Sequence, residues 1–318
     1  LSIEGGSHGV SPVPEGQGVG LLERLGVQAP AKINLTLEIL GRRDDGYHAL
    51  RSVMVPIALA DELAFQPSDR FAFACDPPSL AGDNLVVRAF ARIGLENVPL
   101  AVALRKRIPV GAGLGGGSSD AAAVLRAAMR GELGSRPERD WIADARALGS
   151  DIPFFLVDGP AIVEGTGERV TALGPAPPWW IVLVVPNVHV ATGPAYARLA
   201  ETRRAAPLRT RPRSDSATLR CGEALQRRDY DGVLAALTND FEPIVRDAYP
   251  EVDATLSALA AAGAPGRAML SGSGGSCFAL FPGEDEARRF AGALRAPRDA
   301  AVHLVPFAAS DAWVSASA

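Results

Sequence analysis

The chain has 318 residues, 47% hydrophobic and 21% charged, with a formal net charge of −4, the make-up of an ordinary water-soluble globular protein long enough for two domains. That balance argues against a protein that coats nucleic acid. Cys75, Cys221 and Cys277 lie far apart with no Cys-x-x-Cys and no Cys/His cluster, which supports neither a disulfide framework nor structural zinc and fits a reducing cytoplasm, and the longest strongly apolar run, Trp179 to Val185, falls well short of the roughly 20 residues of a membrane helix.

Residues 1–27 are rich in Gly, Pro and Ser and show no apolar leader, so they are expected to form a disordered extension. Ala31 to Leu40 alternate apolar and polar residues, the mark of a half-buried strand. Ile33, Leu35, Leu37 and Ile39 should face the core, and Lys32, Asn34 and Thr36 the other side. Asp44-Asp45-Gly46 marks a turn, and Leu50 to Leu59 reads as the returning strand. Asp83 or Asn84 can cap a helix to about Ile93. A strand over about 100–107 leads into a glycine-rich loop at 111–117. A helix from about Ser119 to Arg130 follows, stopped by Gly131, and another spans 140–148. The stretch 172–178 is the best linker between domains at 28–175 and 176–318. Beyond it come a strand from Trp180 to Pro186 and an exposed loop at 201–215 carrying Arg203, Arg204, Arg209, Arg211 and Arg213. Helices are expected at about 217–236, 251–262 and 284–295, and strands near 267–270, 276–281 and 301–306. The second half mixes the two in the manner of an α+β sandwich.

The chemistry concentrates in Pro109-Val110-Gly111-Ala112-Gly113-Leu114-Gly115-Gly116-Gly117-Ser118-Ser119-Asp120. Glycines let backbone approach a ligand closely, and the following helix aims unpaired N–H groups and its positive dipole end at the loop. The combination suits phosphate. Ser118 or Ser119 can cap that helix or place a hydroxyl on a phosphate. A Walker A loop requires Gly-Lys-Ser/Thr, and no lysine lies here. Gly111-x-Gly113-x-x-Gly116 matches the dinucleotide fingerprint, but the strand before it ends Arg105-Lys106-Arg107-Ile108-Pro109, unlike the buried apolar strand of that fold. No Gly-x-Ser-x-Gly elbow occurs and there are only four histidines, which argues against a serine hydrolase.

The loop resembles that of the GHMP kinase superfamily. Pro30-Ala31-Lys32-Ile33-Asn34-Leu35, Asp45-Gly46-Tyr47-His48, Asp83-Asn84-Leu85, Lys106-Arg107-Ile108-Pro109, Gly149-Ser150-Asp151-Ile152-Pro153 and Leu270-Ser271-Gly272-Ser273-Gly274 stand around it in the expected order, and the resemblance covers roughly residues 28–306. It implies an α+β, two-domain GHMP kinase fold: a ribosomal protein S5 domain 2-like N-terminal domain and a ferredoxin-like C-terminal domain, with the site between them. It implies ATP and Mg²⁺, with no metal ligands singled out. The Asp-Gly-Tyr-His block points to the branch that phosphorylates the 2-hydroxyl of a cytidine-diphosphate-linked methylerythritol on the non-mevalonate route to isoprenoids. The alternatives are a superfamily kinase for another alcohol (mevalonate, homoserine or a sugar) and a nucleotide-binding sensor without catalysis. No nucleic-acid or membrane partner is implied, and the chain is expected to be a monomer or weak homodimer.

Carried over by position, Lys32 and Asp151 match the catalytic pair. Pro109 to Ser119, with Asn84 and Lys106, match positions at ATP. Asn34, Tyr47, His48, Thr192 and Tyr196 match positions at the cytidine substrate, where an aromatic ring stacks on the base and an imidazole bonds its edge. Asn84 is equally readable as a helix cap and Lys106 as a surface charge, and the Ser271–Gly275 turn can line the site. Of 32 Lys and Arg residues only Lys32 and Lys106 are lysine. Coding bias explains the arginines. The position of Lys32 suggests a task that needs a compact point charge rather than a planar fork.

Overall fold

Alternation does build the first strand, β1 (Leu25–Arg42), but it runs longer than the pattern and is buried on both faces. The structure, a computed structural model, describes residues 25–42, 48–134, 138–205, 215–309 and 312–313; residues 1–24 of the expected extension and Tyr47 lie outside them. β1 pairs antiparallel with β2 (His48–Pro67), from Leu25 opposite Phe65 to Arg42 opposite His48. Register shifts at Pro30/Ala31 and across Leu35 turn the apolar face in mid-strand. Ala31, Ile33 and Leu35 therefore enter one core cluster, and Leu37 and Ile39 another.

Around this pair grows a seven-stranded sheet in the order β3–β4–β2–β1–β8, with β5 paired to β2 and β6 to β5. The added strands are β3 (Ala72–Asp76), β4 (Leu100–Arg105), β5 (Ala161–Gly165), β6 (Arg169–Ala172) and β8 (Thr238–Asn239). The smaller sheet is β11–β7–β10–β9, from β7 (Trp180–Val185), β9 (Met269–Leu270), β10 (Cys277–Phe281) and β11 (Ala301–Pro306). Residues 173–179 connect the two. Helices α1 (Leu85–Arg92), α2 (Gly116–Met129) and α3 (Trp141–Leu148) cover the larger sheet. Asn84 caps α1, its Oδ1 accepting from Val86 N at 2.9 Å, and Asp140 caps α3. α2 is buried nearly all round, and its alanines let it lie between the sheet and its two neighbours.

Several expectations need correction. Gly115, left-handed at φ 72, starts α2, so Ser118 and Ser119 lie inside the first turn and neither caps it. The region 201–215 is not all loop: α4 (Thr192–Ala205) carries Arg203 and Arg204, while 206–214 lie outside the described residues. Gly193 and Pro194 disguise this helix in the sequence, although Pro is tolerated in a first turn. The helix expected over 217–236 is two, α5 (Ala217–Gln226) and α6 (Tyr230–Ala236), because Arg228 turns left-handed at φ 56 and Asp229 caps anew. α7 (Glu242–Ala248), α8 (Pro250–Ala261) and α9 (Glu284–Ala293) complete the helices.

The halves interlock. One core cluster joins Ile33 and Val53 to Ile181, Leu183 and Phe278 across the sheets. β8 lies parallel to β1, and Ile57 bridges Phe307. Trp313 is buried against the larger sheet's helices, with the Arg126 guanidinium 4.5 Å from its ring and Phe155 6.0 Å away. Glu38 on β1 accepts from Ser216 Oγ at 2.5 Å and from the N–H of Ala217 and Thr218, which fixes the start of α5. Burial pushes that carboxyl up, but these donors outweigh it and hold it below its ordinary value.

Candidate active site

The polar face of β1 forms the floor of a cavity of about 1110 Å³. Lys32 is only 3% exposed. Its Nζ donates to Asn34 Oδ1 at 2.8 Å and to Gly113 O at 2.9 Å, and stands 3.7 Å from Asp151 Oδ2. Asn34 in turn donates to Ser52 Oγ at 2.8 Å, so the lysine is held by a chain of bonds anchored in the sheet. Burial drives the Lys32 ammonium below its ordinary pKa, and the Asp151 carboxylate works against that loss.

Asp151 stands on the turn between α3 and a 3-10 turn, Pro153–Leu156. Buried Phe154 and Phe155 peg that turn in place. The glycine-rich loop meets the Ser271–Gly275 turn backbone to backbone. Gly113 has φ +77, and a Cβ there would come within 2.4 Å of Gly274 O and 2.5 Å of Ser271 O, so only glycine fits. Ser276 N donates to Ala112 O at 3.2 Å, and Asn239 Nδ2 holds Leu270 O and Gly272 O, each at 2.8 Å.

At the other end of the cavity His48 lies 5.0 Å from Tyr196, ring to ring, and Tyr196 packs edge-on against Phe241 at 4.7 Å. Burial, helped by the charge of Asp151, pushes the Tyr196 hydroxyl up to about 12. It stays a neutral phenol at any working pH. The cavity thus offers a buried cation beside a glycine-rich loop, a carboxylate next to it, and an aromatic end with an imidazole.

Lys32, Asn34, His48, Gly113, Gly115, Ser118, Asp151 and Tyr196 all line this one cavity. Pro109, Val110, Gly111, Ala112, Leu114, Gly116, Gly117 and Ser119 form the rest of the loop and the start of α2, with Val110 63% exposed. Tyr47 and the Thr192 side chain lie outside the described residues. Asn84 and Lys106 do not line the cavity. Asn84 spends its amide on the cap and on Leu80 O, and Lys106 is a buried ion-paired residue rather than a surface charge. The sequence reading missed Arg146, on the last turn of α3, and Glu168, both lining the cavity. Glu168 is tied to Thr166, and its carboxyl lies below the ordinary range because backbone and hydroxyl donors from this turn outweigh burial. His189 was also missed. A Cβ on Gly111 would run into its ring, a contact between loops 78 residues apart that no local pattern announces.

The chain matches the GHMP kinase N-terminal domain model over residues 84–159 and the GHMP kinase C-terminal model over residues 223–299. It is 38% identical to 4-diphosphocytidyl-2-C-methyl-D-erythritol kinase of Geobacter sp. (strain M21), over 87% of this chain and 96% of that protein. It is 40% identical to the enzyme of the same name from Symbiobacterium thermophilum, over 85% and 95%. A crystal structure of 4-(cytidine 5'-diphospho)-2C-methyl-D-erythritol kinase superposes with a TM-score of 0.70 at 35% identity, covering 89% of this chain and 100% of that one.

Proposed function

The chain belongs to the family of 4-diphosphocytidyl-2-C-methyl-D-erythritol kinases within the GHMP kinases, and from that membership we propose how its own residues carry out the reaction. It is an ATP-dependent kinase that phosphorylates the 2-hydroxyl of 4-diphosphocytidyl-2-C-methyl-D-erythritol in the non-mevalonate isoprenoid pathway. The observation that carries the residue assignment is the buried Lys32 ammonium, bonded to a carbonyl of the phosphate loop and next to Asp151.

Phosphoryl transfer depends mainly on positioning and charge stabilisation. The loop N–H groups and the N-terminus of α2 receive the ATP phosphates. Asp151 takes the proton of the attacking hydroxyl as that oxygen bonds the γ-phosphorus and ADP leaves. Lys32, 3.7 Å from Asp151 Oδ2, stabilises charge that grows on the transferring group. Asn34 fixes the lysine head and offers its amide to the substrate. His48 bonds the base edge and Tyr196 meets its face, with Tyr47 and Thr192 assigned to the same end. Residues 28–175 then supply the nucleotide loop and most of the cavity wall, and 176–318 add Tyr196, Phe241, Gly272 and Ser273. Among the described residues no group of three or more His, Cys, Asp or Glu is placed to hold a metal. The described residues thus offer no carboxylate cage, and Mg²⁺, where it accompanies ATP, would supply neutralisation of phosphate charge beside the loop. None of the described helices is long and apolar enough to cross a membrane. The three cysteines are buried free thiols, which suits a reducing cytoplasm.

The test is a phosphoryl-transfer assay with ATP against a panel of alcohols: the cytidine diphosphate substrate, mevalonate, homoserine and a sugar. Transfer to the first alone is expected; transfer to another alcohol in its place would overturn the substrate assignment. Within that assay His48→Ala should raise KM for the cytidine substrate about 5–100-fold, the effect of a lost buried hydrogen bond, and weaken competition by cytidine diphosphate to the same extent. Indifference of the wild type to cytidine nucleotides would favour another alcohol. Arg146 brings an exposed guanidinium to the cavity wall, suited to the substrate's diphosphate. Arg146→Ala should weaken inhibition by cytidine diphosphate about tenfold, at about 1.4 kcal/mol, and leave inhibition by cytidine unaltered. Equal loss for both would remove the diphosphate from its role.

A further inference from the structure

The phosphate loop rests on a buried cluster of charge. Lys106 turns inward after β4, its side chain 9% exposed. Its Nζ donates to Asp61 Oδ2 at 2.5 Å and to Asp120 Oδ2 at 2.6 Å. Asp61, on β2, is fully buried, and its Oδ1 accepts from the N–H of Arg107 at 2.5 Å and of Ile108 at 2.8 Å. Those are the two residues that lead into Pro109. Asp120 stands one turn into α2, 2% exposed. A Cβ on Gly116 would lie 3.2 Å from Lys106 Nζ, so the ammonium sits directly behind the first residue of α2. The cluster thereby joins β2, the end of β4 and the helix whose N-terminus faces the nucleotide.

Two carboxylates against one ammonium leave one negative charge in excess when all three are ionised. That excess lies behind the loop that must hold a polyanion, in a medium that screens poorly. Three of the four carboxylate oxygens have donors. Asp120 Oδ1 is buried with no hydrogen-bond partner, an arrangement that costs an ionised group more than a protonated one. The other titratable groups in the electrostatic surroundings are Cys75 and Asp76 on β3. Burial pushes the Cys75 thiol up and keeps it neutral. Burial likewise raises Asp120, against the pull of Lys106 and with the help of Asp61, to about 7. Burial disfavours the charge of Lys106 too, but Asp120 and Asp61 outweigh it and hold that ammonium above its ordinary value.

We propose that Asp61, Lys106 and Asp120 are positioning residues for the nucleotide, a charged clasp that fixes the start of α2 under the phosphate loop and accepts a solvent proton at Asp120 Oδ1 when the triphosphate arrives. The inference rests on the reading of residues 109–119 as the nucleotide loop. The proton neutralises the clasp's excess charge as the ligand's charge enters. ATP binding then weakens as pH rises past neutrality, because the protonated form of Asp120 becomes scarce.

The experiment is calorimetric titration of the whole protein with a non-hydrolysable ATP analogue, from pH 6.5 to 8, in pairs of buffers with different ionisation heats. In the wild type Kd is expected to weaken by up to about tenfold over that range, since each pH unit beyond a pKa changes the protonated fraction tenfold. Net proton uptake should accompany binding at the alkaline end. Asp120→Asn, neutral at every pH, should show only the slope of the analogue's own ionisation and no extra uptake, whereas a purely structural role would leave the pH slope in place. A measurement on the wild type alone covers failure of that variant to fold: an infrared carboxylic-acid C=O band should grow when the analogue is added at pH 8. Equal slopes and uptake in both proteins, or no such band, would overturn the clasp. Failure of the analogue to bind at any pH would instead overturn the kinase reading beneath it.

Discussion

Asp151→Asn is expected to lower kcat by about 10²–10⁴-fold, the usual contribution of a positioned general base, while an ATP analogue and the cytidine substrate still bind. The amide is isosteric, and the turn that carries it is pegged by Phe154 and Phe155 rather than by residue 151, so the fold should survive. What is lost is an acceptor for the hydroxyl proton. A second loss follows from the 3.7 Å spacing to Lys32. Burial lowers the lysine's pKa, and Asp151 is the charge that opposes it. With that anion gone Lys32 sheds its proton at a lower pH, so the residual activity should fall off earlier on the alkaline side than in the wild type. Steady-state kinetics across pH, with calorimetry for binding, check both points. Near-normal turnover would take Asp151 out of the chemistry.

Lys32→Arg should be nearly as damaging, with kcat down about 10²–10³-fold, comparable to removing one preorganised donor from a transition-state site. Charge is kept, so any loss reports on shape. The lysine stem runs between two glycine turns: a Cβ on Gly115 would lie 3.1 Å from Lys32 Cγ, and one on Gly272 3.3 Å from Nζ. A guanidinium is broader and cannot satisfy Asn34 Oδ1 and Gly113 O from the same point. Overpacking of this kind typically costs 1–3 kcal/mol, so a lower melting temperature should accompany the loss. A fully active variant would return Lys32 to the coding-bias explanation. Lys106, the other lysine, is constrained differently, by two carboxylates that demand a compact cation between them.

How legible this was in the sequence depends on the range of the forces involved. β1, α1 with its Asn84 cap, the body of α3 and β11 rest on local signals, and all were readable, whereas Asp140 was read as part of α3 rather than as its cap. β3, β5, β6 and α7 were not, because short segments owe their state to what they pack on, and α4 was hidden by Gly193 and Pro194 in its first turn. The alternation in β1 was misleading in one respect: it suggested a solvated face, whereas Lys32, Asn34, Thr36 and Glu38 are buried. Their partners (Gly113, Ser52, Thr218 and Ser216) come from later in the chain. The loop at 109–120 was visible from composition alone. Asp151 was visible only through resemblance, since nothing local separates it from other acids. Arg146, His189 and Asp61 had no signal, and although Lys106 and Asp120 stood out in the sequence their pairing did not, because it is a meeting of distant segments.

The closing contacts of the larger sheet bear on how the chain is made. Thr238 and Asn239 lie beside β1, Phe307 bridges Ile57, and Trp313 seals Arg126 and Phe155. All four leave the ribosome long after the strands they complete. Domains commonly fold as units in order of synthesis, but here a nascent chain ending near residue 175 still lacks a neighbouring strand, a bridging residue and the lid over the turn that bears Asp151. The contacts that close the first half, including the one over the turn bearing Asp151, thus depend on residues from the second.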